Sequence, residues 1–303
     1  VKLKDGDTID AALLVGSDGI FSTVRRQLHL QGDRLHFVGL IVVLGIIEDA
    51  TIPSSRALTA RRIFETVDGA TRIYAMPFTT SSTMWQLSFP CGEEAALALS
   101  KDAAALKAEI VRRCTDWHEP IPALLSATPL DGMSGYPVYD RDLLDPEVLR
   151  PGASSGRCVT LIGDAAHPMT PFRAQGANQA LSDAVLLADT LAASVVRHGP
   201  EAGIDAALPE FERKMLARSA RWVVGSREKA KELHSRLALQ PGRKVQRDVG
   251  FDMPSVIRDL RSAAIGASSA ADPRGLDAVV AGVIGKRDGA PAAPGLEPSS
   301  GRT

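Results

Sequence analysis

Asp164 is a carboxylate placed where chemistry could use it. It ends the β-branched and apolar run Val159–Ile162, follows Gly163, and precedes a loop punctuated by Pro168 and Pro171. From Gly176 a helical rhythm begins, with Ala177, Ala180, Leu181, Ala184, Leu187, Ala188, Leu191 and Val195 at steps of three and four, the spacing that predicts one helical face. A strand, a loop and a helix start in that order aim the N–H groups of Gly176, Ala177 and Asn178, and the positive end of the helix dipole, at whatever the loop holds. An ionised Asp164 only accepts hydrogen bonds, which suits a hydroxyl-rich partner. The small residues Gly163, Ala165, Ala166, Ala174 and Gly176 let a flat ligand approach the backbone. An ordinary strand-to-helix turn with Asp164 as a local cap fits the same residues, and this stretch alone names no ligand.

A second stretch narrows the choice. Ala11–Val15 is another apolar run, closed by Gly16-Ser17-Asp18-Gly19, and Phe21–Leu30 then reads as a short basic helix. LLVGSDGIFSTVRR and VTLIGDAAHPMTPFRAQGANQAL, in this order around a β-rich interval, resemble two fingerprints of the class A FAD-dependent monooxygenases, the aromatic-hydroxylase-like family. Asp18, Gly19, Ser22 and Arg25 carry the Asp-Gly fingerprint; Gly163 and Asp164 carry the Gly-Asp one. The resemblance runs from about Ala11 to about Leu239.

The resemblance implies a cofactor site. Asp164, with Gly163 and Ala165 beside it, would accept a hydrogen bond from the ribityl chain of FAD. The amides of Gly176, Ala177 and Asn178 would face the pyrimidine end of the ring, where a helix N-terminus stabilises the negative charge of reduced flavin. Pro171 and the Arg173–Gln175 loop, Gln175 included, would line the ring. Asp18, Gly19 and Arg25 would lie near the pyrophosphate and the incoming NADPH or NADH. Ser22 reads as the cap of the following helix, and Ala174 stands where the family commonly has Gly.

The family's chemistry belongs to its cofactor: NADPH or NADH reduces FAD, O₂ adds to form a flavin C4a-hydroperoxide, and a small organic substrate is hydroxylated or epoxidised. No side chain is therefore expected as catalytic acid, base or nucleophile, and the six histidines show no metal-ligand spacing. A flavin reductase or halogenase on the same fold, or a flavin-free remnant acting as a binding module, are the alternatives.

The family opens with a βαβ unit carrying Gly-x-Gly-x-x-Gly. The 303 residues contain no such string, and VKLKDGDTID reads as half a hairpin from within a flavin domain. The expectation is an N-terminally truncated form of a longer enzyme.

These signals predict an α/β fold with an α+β insertion. A partial FAD-binding, Rossmann-like domain (1–35) returns at 151–197 around a mostly antiparallel β-rich substrate domain (36–150). A helical region (198–287) and a disordered tail (288–303), rich in Gly, Pro, Ala and Ser, follow. Strand signals fall at Phe37–Ile47, Arg61–Val67, Thr71–Pro77, Thr83–Phe89 and Gly135–Asp140, with Asp68-Gly69 as a hairpin turn. A helix is expected over Asp102–Cys114. Tyr74, Met76, Trp85, Gln86 and Tyr136 are the candidate pocket residues, although any of them could equally be sheet core.

Composition excludes more than it selects. A net charge of −1 offers no field for nucleic acid, and the longest apolar run, Phe37–Ile47, falls short of the roughly 20 residues that span a bilayer. Three widely spaced cysteines fit a reducing cytoplasm. The stripe Leu208, Phe211, Met215, Ser219, Trp222, Val223, Ser226, Ala230, Leu233 and Leu237 predicts a helical stretch packed on the flavin domain or on the second subunit of a homodimer.

Overall fold

The run Phe37–Ile47 becomes part of the longest strand of the molecule. The computed structural model describes residues 1–52, 63–151 and 158–240. Its elements in chain order are β1 (Leu14–Gly16), α1 (Thr23–Gln27), β2 (Leu35–Glu48), β3 (Phe64–Val67), β4 (Arg72–Pro77), β5 (Ser82–Pro90), α2 (Glu93–Leu99), α3 (Ala103–Arg113), α4 (Ile121–Ala127), β6 (Met133–Arg141), α5 (Pro146–Leu149), β7 (Val159–Leu161), α6 (Gly176–His198) and α7 (Pro200–Leu233).

β2 stands inside a five-stranded antiparallel sheet of order β3-β4-β5-β2-β6. Alternation gives the sheet two unlike faces. Ile41, Val43 and Ile47 join Ile73, Ala75, Trp85, Leu87 and Phe89 in a core closed by Leu106 and Ile110 of α3 and by Leu124 and Leu125 of α4. Trp85 lies over Gly45, where any side chain would collide with the indole, and its Nε1 donates to Thr128 Oγ1 at 2.9 Å. The β3–β4 hairpin turns as Asp68-Gly69 predicts: Gly69 has φ +92 and Asp68 Oδ1 accepts from the amides of Ala70 (2.8 Å) and Thr71 (2.6 Å). Arg61 and Arg62, read as the start of that strand, lie outside the described residues. The short helices α2 and α4 were not expected, because seven residues each are too few to show a 3.6-residue period.

The other half of the molecule is built from β1, β7, α6 and α7. β1 and β7 pair in parallel with Leu14 opposite Val159 and Gly16 opposite Leu161, so Asp18 and Asp164 leave neighbouring strands at the same end. At the start of the chain a single bridge, Lys2 to Thr8, marks the hairpin. α6 and α7 meet at Gly199 (φ +80) and cross so closely that a Cβ on Gly203 would stand 2.6 Å from Val195 Cα.

α6 corrects the sequence reading in one respect. The expected apolar stripe is only partly buried: Leu187 is buried and Ala180, Leu191 and Val195 are half-buried, but Leu181 is 68% exposed, and the other buried positions are Gln179, Asp183 and Ser194. The displacement follows from Asp183, whose carboxylate is satisfied only against the loop and α7; burying it unpaired would cost more than exposing a leucine. Among the described residues α6 is the one helix long and apolar enough, by length and composition alone, to cross a membrane. α7 follows most of its predicted stripe: Leu208, Phe211, Met215, Ser219, Val223, Ser226, Ala230 and Leu233 are buried, Trp222 is half-buried, and Leu237 lies beyond the helix end, 46% exposed. Residues 241–287 of the expected helical region and the expected tail 288–303 lie outside the described residues.

Candidate active site

Three pieces of backbone converge where β1 and β7 end. Gly163 has φ +57, a left-handed turn natural to glycine, and a Cβ there would stand 3.1 Å from that of Ala180. The turn delivers Asp164 opposite the start of α6: a Cβ on Gly176 would lie 3.7 Å from Asp164 Oδ1. Asp164 accepts no hydrogen bond from any described residue, and its side chain is solvent-accessible. Enough protein surrounds it that lost hydration pushes its carboxyl above the usual carboxylate value, against the smaller opposing pull of His167.

α6 runs for 23 residues and starts without a side-chain cap; Gln175, its N-cap, makes no capping bond. The amides of Gly176, Ala177 and Asn178 therefore meet Asp164 across an open gap, with Ala177 and Asn178 exposed. Pro171 and Phe172 form a short 3₁₀ turn ahead of it, closed by Ala174 at φ +50. That left-handed conformation explains why glycine would be favoured at residue 174 and why alanine is strained there. Arg173 turns away from the gap and lies on the Trp222 ring at 5.1 Å, across Gly225 of α7. Pro171, Gln175 and Ala165 flank the gap by sequence, Ala165 being fully buried behind Asp164.

The Asp-Gly stretch stands beside this site in a supporting position. Asp18 takes Ser22 Oγ at 2.5 Å and the amides of Thr23 (2.6 Å) and Val24 (3.3 Å), so its carboxylate caps α1. Partial burial raises its pKa, but these hydrogen bonds outweigh that and leave it below the ordinary value. Gly19 (φ +79) makes the turn, and Ser22 Oγ accepts from Arg25 N at 2.9 Å, the cap expected of it. Arg25, 2% exposed, donates through Nη1 to the carbonyls of Ala165 and Ala166, both at 2.8 Å, and through Nε to Asp33 at 3.0 Å. Its guanidinium is thus a clamp that holds the Asp164 turn from behind.

Residues that the sequence reading missed hold the same turn. Asp183 Oδ2 accepts from Gly163 N and from His167 Nε2, both at 2.7 Å, while Oδ1 takes Arg218 of α7. Asp33 joins Arg25 to Arg141 of β6 (2.8 Å), and Glu212 of α7 holds Arg150 by two 2.9 Å bonds and Thr160 of β7 at 2.8 Å. The legible signal was a carboxylate inside a helix's buried stripe: Asp183 stands four residues before Leu187, and Glu212 between Phe211 and Met215.

The pocket candidates divide by face. Tyr74 and Gln86 stand in register with Leu44, Met76 with Met84, and Tyr136 with Val42, all on the face that carries Val42 and Leu40 against Phe172. Trp85 does not join them. It is wholly buried on the opposite face, because strand alternation puts it between Met84 and Gln86 and Gly45 leaves room for its ring.

The FAD binding domain family matches residues 150–220, the span from just after α5 through the Asp164 turn and α6 into α7. The chain is 32% identical over 246 residues to 3-amino-4-hydroxybenzoate 2-monooxygenase PtnB3 of Streptomyces platensis, covering 77% of this chain and 54% of that protein. It is 32% identical over 226 residues to aurachin C monooxygenase/isomerase of Stigmatella aurantiaca, covering 75% and 52%. The chain thus spans about half the length of the curated relatives it matches. Among solved structures, a single-residue variant of Klebsiella pneumoniae HpxO complexed with FAD superposes with a TM-score of 0.63 at 22% identity over 78% of this chain and 57% of that one. The 2,6-dihydroxypyridine-3-hydroxylase of Arthrobacter nicotinovorans gives 0.66 at 17%, over 82% and 66%. Both share the fold. With these similarities of sequence and fold, the chain belongs to the class A FAD-dependent monooxygenase family.

Proposed function

We propose that this chain provides the ring-binding and substrate-binding parts of an FAD-dependent monooxygenase that uses NADPH or NADH and O₂ to hydroxylate or epoxidise a small organic substrate. The observation that carries the reading is the meeting of an uncommitted carboxylate, Asp164, with the uncapped start of a 23-residue helix. The two fit FAD in complementary ways: Asp164 accepts from a ribityl hydroxyl, and the amides of Gly176–Asn178 offer donors and partial positive charge to the pyrimidine edge. FAD, when bound, accepts hydride from the nicotinamide and activates O₂.

The chain's own work is placement and exclusion. Arg25 and Asp183 fix the turn that carries Asp164, Phe172 closes the seam between that turn and the sheet, and the face bearing Tyr74 and Gln86 orients the substrate. Relatives that bear the names of hydroxybenzoate and aurachin C monooxygenases support the reaction class. Asp18, Gly19 and Arg25 act in this reading by shaping the loop near the cofactor, and Pro171 and Gln175 by bordering its ring.

The test is reconstitution of the purified chain with FAD, followed by NADPH- or NADH-dependent O₂ uptake in the presence of small aromatic ligands. Yellow protein whose NAD(P)H oxidation rises with a ligand, with oxygen appearing in the product, is expected. Protein that stays colourless at saturating FAD overturns the reading in favour of a flavin-free binding module.

A further inference from the structure

The sheet face turned toward Phe172 is filled at one end, where Leu40, Val42, Arg72 and Ser88 are buried, and open at the other. On the opposite face Ile41, Val43, Ile73, Ala75, Trp85 and Leu87 are wholly inaccessible, whereas here Tyr74, Met76, Met84, Gln86 and Leu44 are half-buried and Tyr136 is 39% exposed. Cross-strand register places Tyr74, Gln86 and Leu44 in one row and Met76, Met84 and Ile46 in the next. The floor is continuous with the core that contains Phe172, the residue after Pro171, so it adjoins the site assigned to the flavin ring. Two methionines and two tyrosines give a flat, polarisable surface suited to a ring. The Gln86 amide and the hydroxyls of Tyr74 and Tyr136 have no hydrogen-bond partner among the described residues. Burial pushes both tyrosines above the usual phenol value, so they stay neutral donors.

Charge on this face is already spent or of the wrong sign for an anion. Arg72 pairs through Nε with Glu65, and its guanidinium is covered by Tyr74 (5.3 Å) and Phe172 (5.7 Å). Its Nη1 has no partner, yet it is sealed from solvent behind those rings. At the open end stands Glu48, an exposed carboxylate level with Ser82. Arg72 is the cation of this face and is only 8% exposed, so a substrate carboxylate would reach its free Nη1 only by displacing the rings that cover it, and would face Glu48.

We propose that the substrate is an uncharged, largely apolar ring compound whose single polar group is read by Gln86, and that ring carboxylates are disfavoured. The proposal rests on the monooxygenase reading for its location and deepens it by naming the substrate's charge class.

A matched pair of probes tests it: 2-naphthol against 3-hydroxy-2-naphthoate, titrated calorimetrically into the full chain at pH 7.5 with and without FAD. The neutral probe should bind at least about ten-fold more tightly. Gln86→Leu should weaken 2-naphthol about five-fold, the loss of one hydrogen bond, while leaving naphthalene unchanged. Equal or tighter binding of the carboxylate, no effect of Gln86→Leu, or binding of neither probe overturns the proposal. The flavin reading is judged separately by colour. Yellow protein that prefers the carboxylate sinks only the charge assignment, and colourless protein that prefers the naphthol sinks only the flavin.

Discussion

The two halves of the molecule bury different things. Around β2 the sheet and its helices bury an uninterrupted apolar core, in which Trp85, Leu87, Phe89 and Ile110 are wholly inaccessible. Around β1, β7 and the helix pair, an apolar core of Leu161, Leu208, Phe211 and Met215 is joined by buried carboxylates: Asp183 at 0% exposure, Glu212 at 1% and Asp33 at 13% for its side chain, each holding two or three donors from distant stretches. Apolar packing supplies stability but tolerates small displacement. Directed hydrogen bonds from a few fixed carboxylates define distances, which a cofactor seat requires.

Removing one buried charge sharpens the contrast most. Glu212→Ala removes the carboxylate that Arg150 and Thr160 share, and should cost about 3–5 kcal/mol in chemical denaturation. Pairing it with Arg150→Met should recover part of that loss, because the buried cation that lost its counter-charge is then gone as well. A single-variant loss below about 1 kcal/mol would show that the polar half does not depend on its carboxylates. In the apolar half, Leu87→Ala should cost about 2–4 kcal/mol by cavity formation. No second substitution across the sheet should rescue it without refilling the volume. Rescue by a polar partner would erase the distinction between the halves.

The smallest effect concerns Asp164. Its folded-state pKa lies above the ordinary value near 3.8, chiefly because lost hydration disfavours the charge. Ionised Asp164 therefore costs stability at neutral pH, and the cost vanishes below the ordinary value, where the group is protonated whether the chain is folded or not. Asp164→Asn should raise the Tm slightly at pH 7 and leave it unchanged at pH 3. A lower Tm at pH 7 would mean that Asp164 serves as a structural cap rather than as a ligand group kept open at a cost.

Legibility followed the same division. The strands of the sheet were readable because alternation and an Asp-Gly turn are local signals, and β2, β4, β5 and β6 fall on the predicted runs. Trp85 was misplaced since composition cannot say which face of a strand is core; parity with Ile73 and Ile41 decides that only once the register is known. Asp164, Gly176 and Asn178 stood out because a strand, a glycine and a helix start are contiguous in sequence. Asp183 and Glu212 showed only as carboxylates within an apolar stripe, and Asp33 not at all, since their partners lie between 8 and 108 residues away and pairing at that range does not name them. The same carboxylate, Asp183, explains why α6 buries only part of its apolar stripe: Leu187 stays inside, and Asp183 draws the buried face toward Gln179 and away from Leu181.

FAD titration followed by flavin fluorescence tests the central claim, with the unmodified chain, Asp164→Ala and Gly176→Val measured side by side at pH 7.5. Asp164→Ala should weaken FAD at least about five-fold through loss of one charge-assisted hydrogen bond, and Gly176→Val more, because its side chain would fill the gap beside Asp164. Both variants should retain the wild-type circular dichroism spectrum. Unchanged FAD affinity in both folded variants would contradict the account.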